Sequence, residues 1–136
     1  MHTIHTTWHS GMAFEAQIGN HSIRMDTTGE GGKDTGASPK KLMLAALAGC
    51  TGIDVLSILD KMKVIFTDFI IDIEASLKDE HPKIYKDVRI RYAIKMDVAD
   101  QPKMRRAVEL SQQKYCGVYA MFESFCSITT QVDFIA

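Results

Sequence analysis

Cys50, Cys116 and Cys126 are the three thiols of this chain, and each stands in a different setting. Cys50 lies inside "SPKKLMLAALAGCTGIDVLSIL", residues 38–59, a long run with helical spacing. Cys116 lies in "LSQQKYCGVYAMF", beside Lys114 and next to Gly117. A free cysteine often does no more than pack, because it behaves as a small apolar side chain. Reactivity needs access and a thiolate, which nearby positive charge and helix N-termini favour. Cys116 has such a setting, since Gly117 is expected to break the helix and a new helical segment to begin near Cys116. Two thiols on two packed helices can also act together on a peroxide. One attacks the O–O bond as thiolate and becomes a sulfenic acid; the other condenses with it to a disulfide, which prevents further oxidation. Cys126, at the entry to the last strand, reads as packing.

Other candidates are weaker. His2, His5 and His9 suggest a metal, but "HTIHTTWH" reads as a strand, and there His2 points away from His5 and His9. No metal or cofactor is therefore expected. His21 and His81 fall at turns. "GEGGKDTG" lacks the hydroxyl residue and glycine spacing of a phosphate loop. The 8 methionines, Met12, Met104 and Met121 among them, suit gap-filling in a core. Arg24 is an isolated charge between Ile23 and Met25, either solvated or supporting a thiolate.

The elements that position these residues follow from the pattern. Residues 2–9, 12–18 and 21–26 read as a three-stranded meander, with Gly19–Asn20 as a tight turn. Ser38 and Pro39 open a helix. From Leu42 to Ile53 it carries no charge, so it must be enclosed on all sides. Two long alternating segments follow, "TDFIIDIEASLKD" and "KDVRIRYAIKM", most simply an antiparallel pair. A second helix is expected over roughly Pro102 to Phe125, broken near Gly117, and "SITTQVDFI" is a final strand. The order βββ-α-ββ-α-β is an α+β pattern with two central helices packed on antiparallel sheets. It is expected to form a single domain over residues 1–136. One chain of this size covers an all-round apolar helix poorly, so an obligate homodimer is expected.

Bulk properties narrow the function classes. Hydrophobic residues make up 46% and charged residues 24%, as in ordinary globular chains. A net charge of -1 gives no reason to expect nucleic acid or an anionic membrane as partner. No signal peptide is visible, and the longest apolar run looks too short to span a bilayer. An odd number of widely spaced cysteines does not read as a secreted disulfide framework. A cytoplasmic location is expected.

The helix segment with "AGC-x-x-IDV", together with "KYC" downstream, resembles the OsmC/Ohr family, the osmotically inducible and organic hydroperoxide resistance proteins, and within it the YhfA-like branch. The resemblance covers nearly the whole chain. It implies an intertwined α+β homodimer built around central helices, and a thiol-dependent peroxidase that reduces alkyl or lipid hydroperoxides in oxidative-stress defence. By motif position it implies that Cys50 is the peroxidatic thiol and Cys116 the resolving one, with a dithiol reductant regenerating the pair. Strongly active members carry a Glu after the helix-opening Pro, paired to an Arg in an early glycine-rich loop. Here Lys40 and Lys41 follow Pro39, "WHSGMAF" has no Arg, and Arg24 is not in register with the family's Arg, so Arg24 or the Lys40–Lys41 pair is the candidate cation for Cys50. The alternative is a non-catalytic dimeric module that binds a small apolar ligand or senses redox state.

Overall fold

The structure is a computed structural model that describes all residues, 1–136. Its elements are β1 (His5–Ser10), β2 (Ala13–Ile18), β3 (His21–Met25), α1 (Pro39–Lys61), β4 (Phe66–Leu77), β5 (Tyr85–Met96), α2 (Gln101–Leu110), α3 (Gly117–Glu123) and β6 (Ser127–Phe134). They fall into two compact units, residues 1–45 and 46–136.

In the first unit β1, β2 and β3 form the expected antiparallel meander in that order. Gly19 turns β2 into β3 with φ +59, a left-handed conformation that suits glycine in a two-residue hairpin turn. The loop after β3 is tied back by Asp26. Its Oδ1 accepts from the Thr27 amide at 2.7 Å, and its Oδ2 accepts from the Thr35 amide at 3.0 Å and the Thr35 hydroxyl at 2.6 Å. Three donors on one carboxylate, the Thr35 hydroxyl foremost, hold its pKa down at about 2.

In the second unit β5 is the central strand of a three-stranded sheet in the order β4-β5-β6. Tyr92, Ala93 and Ile94 are all buried, as a central strand requires, while Arg89 and Lys95 stay exposed. On β4 four residues of the expected face, Phe69, Ile71, Ile73 and Ala75, are half-buried and alternate with exposed Asp72, Glu74 and Ser76, while Leu77, expected on the same face, is exposed where a bulge shifts the register after Ser76. β4 and β5 pair antiparallel as expected. β6 runs parallel to β5, a correction to the expectation of purely antiparallel sheets. The reason is topological: α2 and α3 lie between β5 and β6 in the chain, and such a crossover returns the strand in the same direction.

α1 is helical from Pro39, where the Ser38 carbonyl accepts the Leu42 amide at 3.0 Å. Leu47, Thr51, Gly52, Val55 and Leu59 form its buried stripe. At Gly52 an added Cβ would stand 3.0 Å from Ile71 Cδ1, so glycine allows the close approach of α1 to β4. The opposite side is not enclosed within one chain: Ile53 is 69% exposed, Met43 45% and Leu56 42%. By length and composition α1 would suffice to cross a membrane, which corrects the expectation that the apolar run is too short. The twelve uncharged residues continue helically into Asp54–Lys61, and core helices of globular folds pass the same test.

The expected second helix is divided. α2 ends at Leu110, residues 111–115 form a π turn closed by the Cys116 amide on the Ser111 carbonyl at 2.8 Å, and α3 begins at Gly117. The break falls on Cys116, which is extended with φ -78 and ψ 102. Gly117 is thus the first residue of α3 rather than the breaker.

Candidate active site

The π turn and the helix break aim Cys116 back at α1. Cys116 caps α3, its Sγ accepting the Tyr119 amide at 3.3 Å. Cys50 and Asp54 stand one turn apart on α1, on one face. The Cys50 and Cys116 sulfurs and an Asp54 carboxylate oxygen all lie within 4.8 Å of one another. All three cysteines are free thiols; Cys50 is half-buried and Cys116 buried.

Burial pushes the Cys116 thiol up to about 12, and a hydrogen bond with Cys50 and the charges of Cys50 and Asp54 push the same way. The amide of Tyr119 opposes them. The helix N-terminus, expected to favour a Cys116 thiolate, is outweighed here: α3 is only 7 residues long and Cys116 is 3% exposed. Cys116 therefore keeps its proton at neutral pH and faces Cys50 as a thiol.

Behind the thiols runs a chain of buried hydroxyls. Ser111 Oγ donates to Asp54 Oδ2 at 3.1 Å. Ser111 and Thr51 meet at 2.7 Å, Thr51 and Tyr92 at 2.7 Å, and Gln112 Nε2 donates to the Tyr92 hydroxyl at 3.2 Å. Each hydroxyl has one hydrogen to give. Since Ser111 spends its hydrogen on Asp54, Thr51 must donate to Ser111, and Tyr92 to Thr51. Every donor in the chain points toward the Asp54 carboxylate. Gln112 is anchored in turn by Thr130 on β6 at 2.9 Å. No buried side-chain nitrogen or oxygen in the protein lacks a partner.

Of the residues singled out in the sequence, Cys50 and Cys116 come together. Cys126 does not join them; its Sγ donates to the Phe122 carbonyl at 3.0 Å, in keeping with packing. Arg24 lies on β3, its Nε donating to Thr35 Oγ1 at 3.1 Å and a terminal nitrogen standing 3.3 Å from His9 Nδ1. His5 and His9 lie on β1 and are exposed. Asp54, Ser111, Thr51 and Tyr92 were not singled out as functional. For Asp54 a signal existed, the Cys-x-x-x-Asp spacing that aligns two side chains on a helix. For Ser111 none did, because nothing in "LSQQKYC" announces a π turn.

A family model described as OsmC-like protein matches residues 31–131. The chain belongs to the OsmC-like protein family. It is 31% identical over 130 residues to Protein YhfA of Escherichia coli K12, covering 95% of each chain. A hypothetical protein from Aquifex aeolicus has the same fold, with a TM-score of 0.82 and 26% identity over 100% of this chain and 98% of that one. An organic hydroperoxide resistance protein from Elizabethkingia anophelis, bound to thiocyanate, aligns with a TM-score of 0.71 and 15% identity over 99% and 98%. The α+β, OsmC-like architecture expected from the sequence is thereby borne out.

Proposed function

We propose that this OsmC-like protein is a thiol-dependent peroxidase for alkyl or lipid hydroperoxides, acting in the cytoplasm. The observation that carries the proposal is the meeting of Cys50 and Cys116, from two separate helices, with their sulfurs within 4.8 Å. Cys50, the more accessible of the two, attacks the distal peroxide oxygen as thiolate. The O–O bond breaks, the alkoxide leaves and takes up a proton as alcohol, and Cys50 becomes a sulfenic acid. Cys116 attacks that sulfur; water leaves, a disulfide forms, and the Cys116 proton balances the departing hydroxide. A dithiol reductant restores both thiols by exchange. Arg24 is the proposed cation for the Cys50 thiolate.

Family proteins are typically dimers that act on hydroperoxides. The open face of α1, with Ile53 and Leu56 exposed, supports a homodimer in which a second copy covers this helix. Apolar walls around the thiols would then favour an organic peroxide over hydrogen peroxide. Peptide mapping after one equivalent of an organic hydroperoxide tests the thiol roles. A Cys50–Cys116 bridge within one chain is expected; a bridge to Cys126, or none, removes the resolving role.

A further inference from the structure

We propose that, when reduced, Cys50, Asp54 and Cys116 form a binding site for one thiophilic divalent cation of the zinc class. The inference rests on the geometry of these residues and holds whether or not the protein reduces peroxides.

Two sulfurs and a carboxylate oxygen within 4.8 Å of one another make a three-donor set of mixed thiolate and carboxylate type. Around a tetrahedral zinc, with Zn–S about 2.3 Å and Zn–O about 2.0–2.2 Å, donors sit about 3.5–3.8 Å apart. The cluster therefore needs to close by at most about 1.3 Å. The helix already aligns Cys50 with Asp54, and the α3 cap fixes Cys116 opposite them.

The surroundings resemble an outer shell of a metal site. Ser111 donates to Asp54 Oδ2, so one carboxylate oxygen is oriented while the hydrogen bond makes no demand on the other. Ser111 is itself held by Thr51, and Thr51 by Tyr92. Asp54 also lines an open cavity of about 340 Å³ with Ser57, Leu110 and Tyr115. Asp54 is the one donor of the three that this cavity reaches, so a cation enters from the Asp54 side. Both thiols release their protons to solvent on binding, and the two thiolates and the carboxylate carry three negative charges against the cation's two positive ones. A Cys50–Cys116 disulfide consumes both sulfurs, so metal and disulfide exclude each other.

The test uses Cd²⁺ as probe, because thiolate-to-cadmium absorption in the ultraviolet reports sulfur ligands and is silent to the exposed histidines. Reduced, metal-free protein is titrated, with circular dichroism confirming that each variant is folded. The expected result is one Cd²⁺ per chain with the intensity of two thiolates. Cys126→Ser should leave it unchanged, and Cys116→Ser should halve the intensity. Asp54→Asn should weaken binding about tenfold or more, and Ser111→Ala about 10-fold as an outer-shell change. Protein oxidised to the disulfide should give no signal. Sulfur absorption that survives Cys116→Ser at full intensity, affinity indifferent to Asp54→Asn, or no absorption in reduced wild type overturns the proposal. Because the readout is absorption rather than turnover, a failed peroxide assay leaves this result standing, and the reverse also holds.

Discussion

Thr51→Val is the most informative single change in the core behind the thiols. Thr51 is 0% exposed, and its hydroxyl makes two hydrogen bonds of 2.7 Å, to Tyr92 and Ser111. Valine keeps the shape and removes the oxygen. The Ser111 hydroxyl still donates to Asp54. The Tyr92 hydroxyl still accepts from Gln112, but its own hydrogen loses its only acceptor in a dry site. Two net hydrogen bonds at about 1 kcal/mol each, with one buried donor stranded at about 1–3 kcal/mol, give a loss of about 3–5 kcal/mol. With a urea m-value of about 1–3 kcal/mol/M, the midpoint falls by about 1 M or more. Adding Tyr92→Phe removes the stranded hydroxyl. The double variant should therefore be more stable than the sum of the singles predicts, by about 1 kcal/mol. All four proteins are unfolded at one protomer concentration, so that any association contributes equally. A Thr51→Val loss under about 0.5 kcal/mol, or a strictly additive cycle, refutes the hydroxyl chain as a cooperative unit.

Further predictions concern charge, assembly and the thiols. The Asp26 carboxyl is held at about 2 by Thr35 and Thr27, below its unfolded value, so its stabilisation is complete above about pH 4 and is lost as pH falls toward 2. Asp26→Asn should flatten the acid limb of an unfolding curve in that window, and an unchanged limb would exclude the role. Ile53→Asp places a charge on the open face of α1 and, in an obligate dimer, should cost the dimer and the fold together, read by sedimentation and circular dichroism; a folded, monomeric wild type at micromolar concentration argues against the dimer. Cys116, pushed up to about 12 by burial, should resist iodoacetamide through about pH 9 in the folded protein and label freely in urea. Rapid labelling of Cys116 at pH 8 without denaturant would contradict its burial as a thiol. Arg24→Met should slow Cys50 alkylation at neutral pH, and an equal rate would remove Arg24 from the account.

Much of the fold was legible because its signals are local. Alternation in "IIDIEA" and "VRIRYAI" locates β4 and β5, and Ser38–Pro39 locates the start of α1 to the residue. The parallel course of β6 was not legible, since strand direction depends on how α2 and α3 cross the sheet rather than on residues 127–134. The π turn was hidden for a related reason. Ser111 to Tyr115 have no helix-breaking residue; the distortion satisfies tertiary bonds from Ser111 to Asp54 and Thr51. The two thiols were readable as a pair through the motifs that hold them. Asp54 was visible only as the end of an apolar run, because its part in the site is made by spacing and by a partner on another helix. Composition called for enclosure of α1 on all sides, whereas the chain encloses it only on the stripe from Leu47 to Leu59 and leaves Ile53 and Leu56 open.

The central claim is that Cys50 reduces organic hydroperoxides, and a peroxide-consumption assay with a dithiol reductant tests it most directly. Wild type, Cys50→Ser and Cys116→Ser are compared with an organic hydroperoxide and with hydrogen peroxide. The account predicts that wild type turns over, and faster on the organic substrate. Cys50→Ser should be inert, and Cys116→Ser should form a sulfenic acid on Cys50 that no longer closes to the intrachain disulfide. A wild type that consumes neither peroxide, or a Cys50→Ser variant as active as wild type, contradicts it.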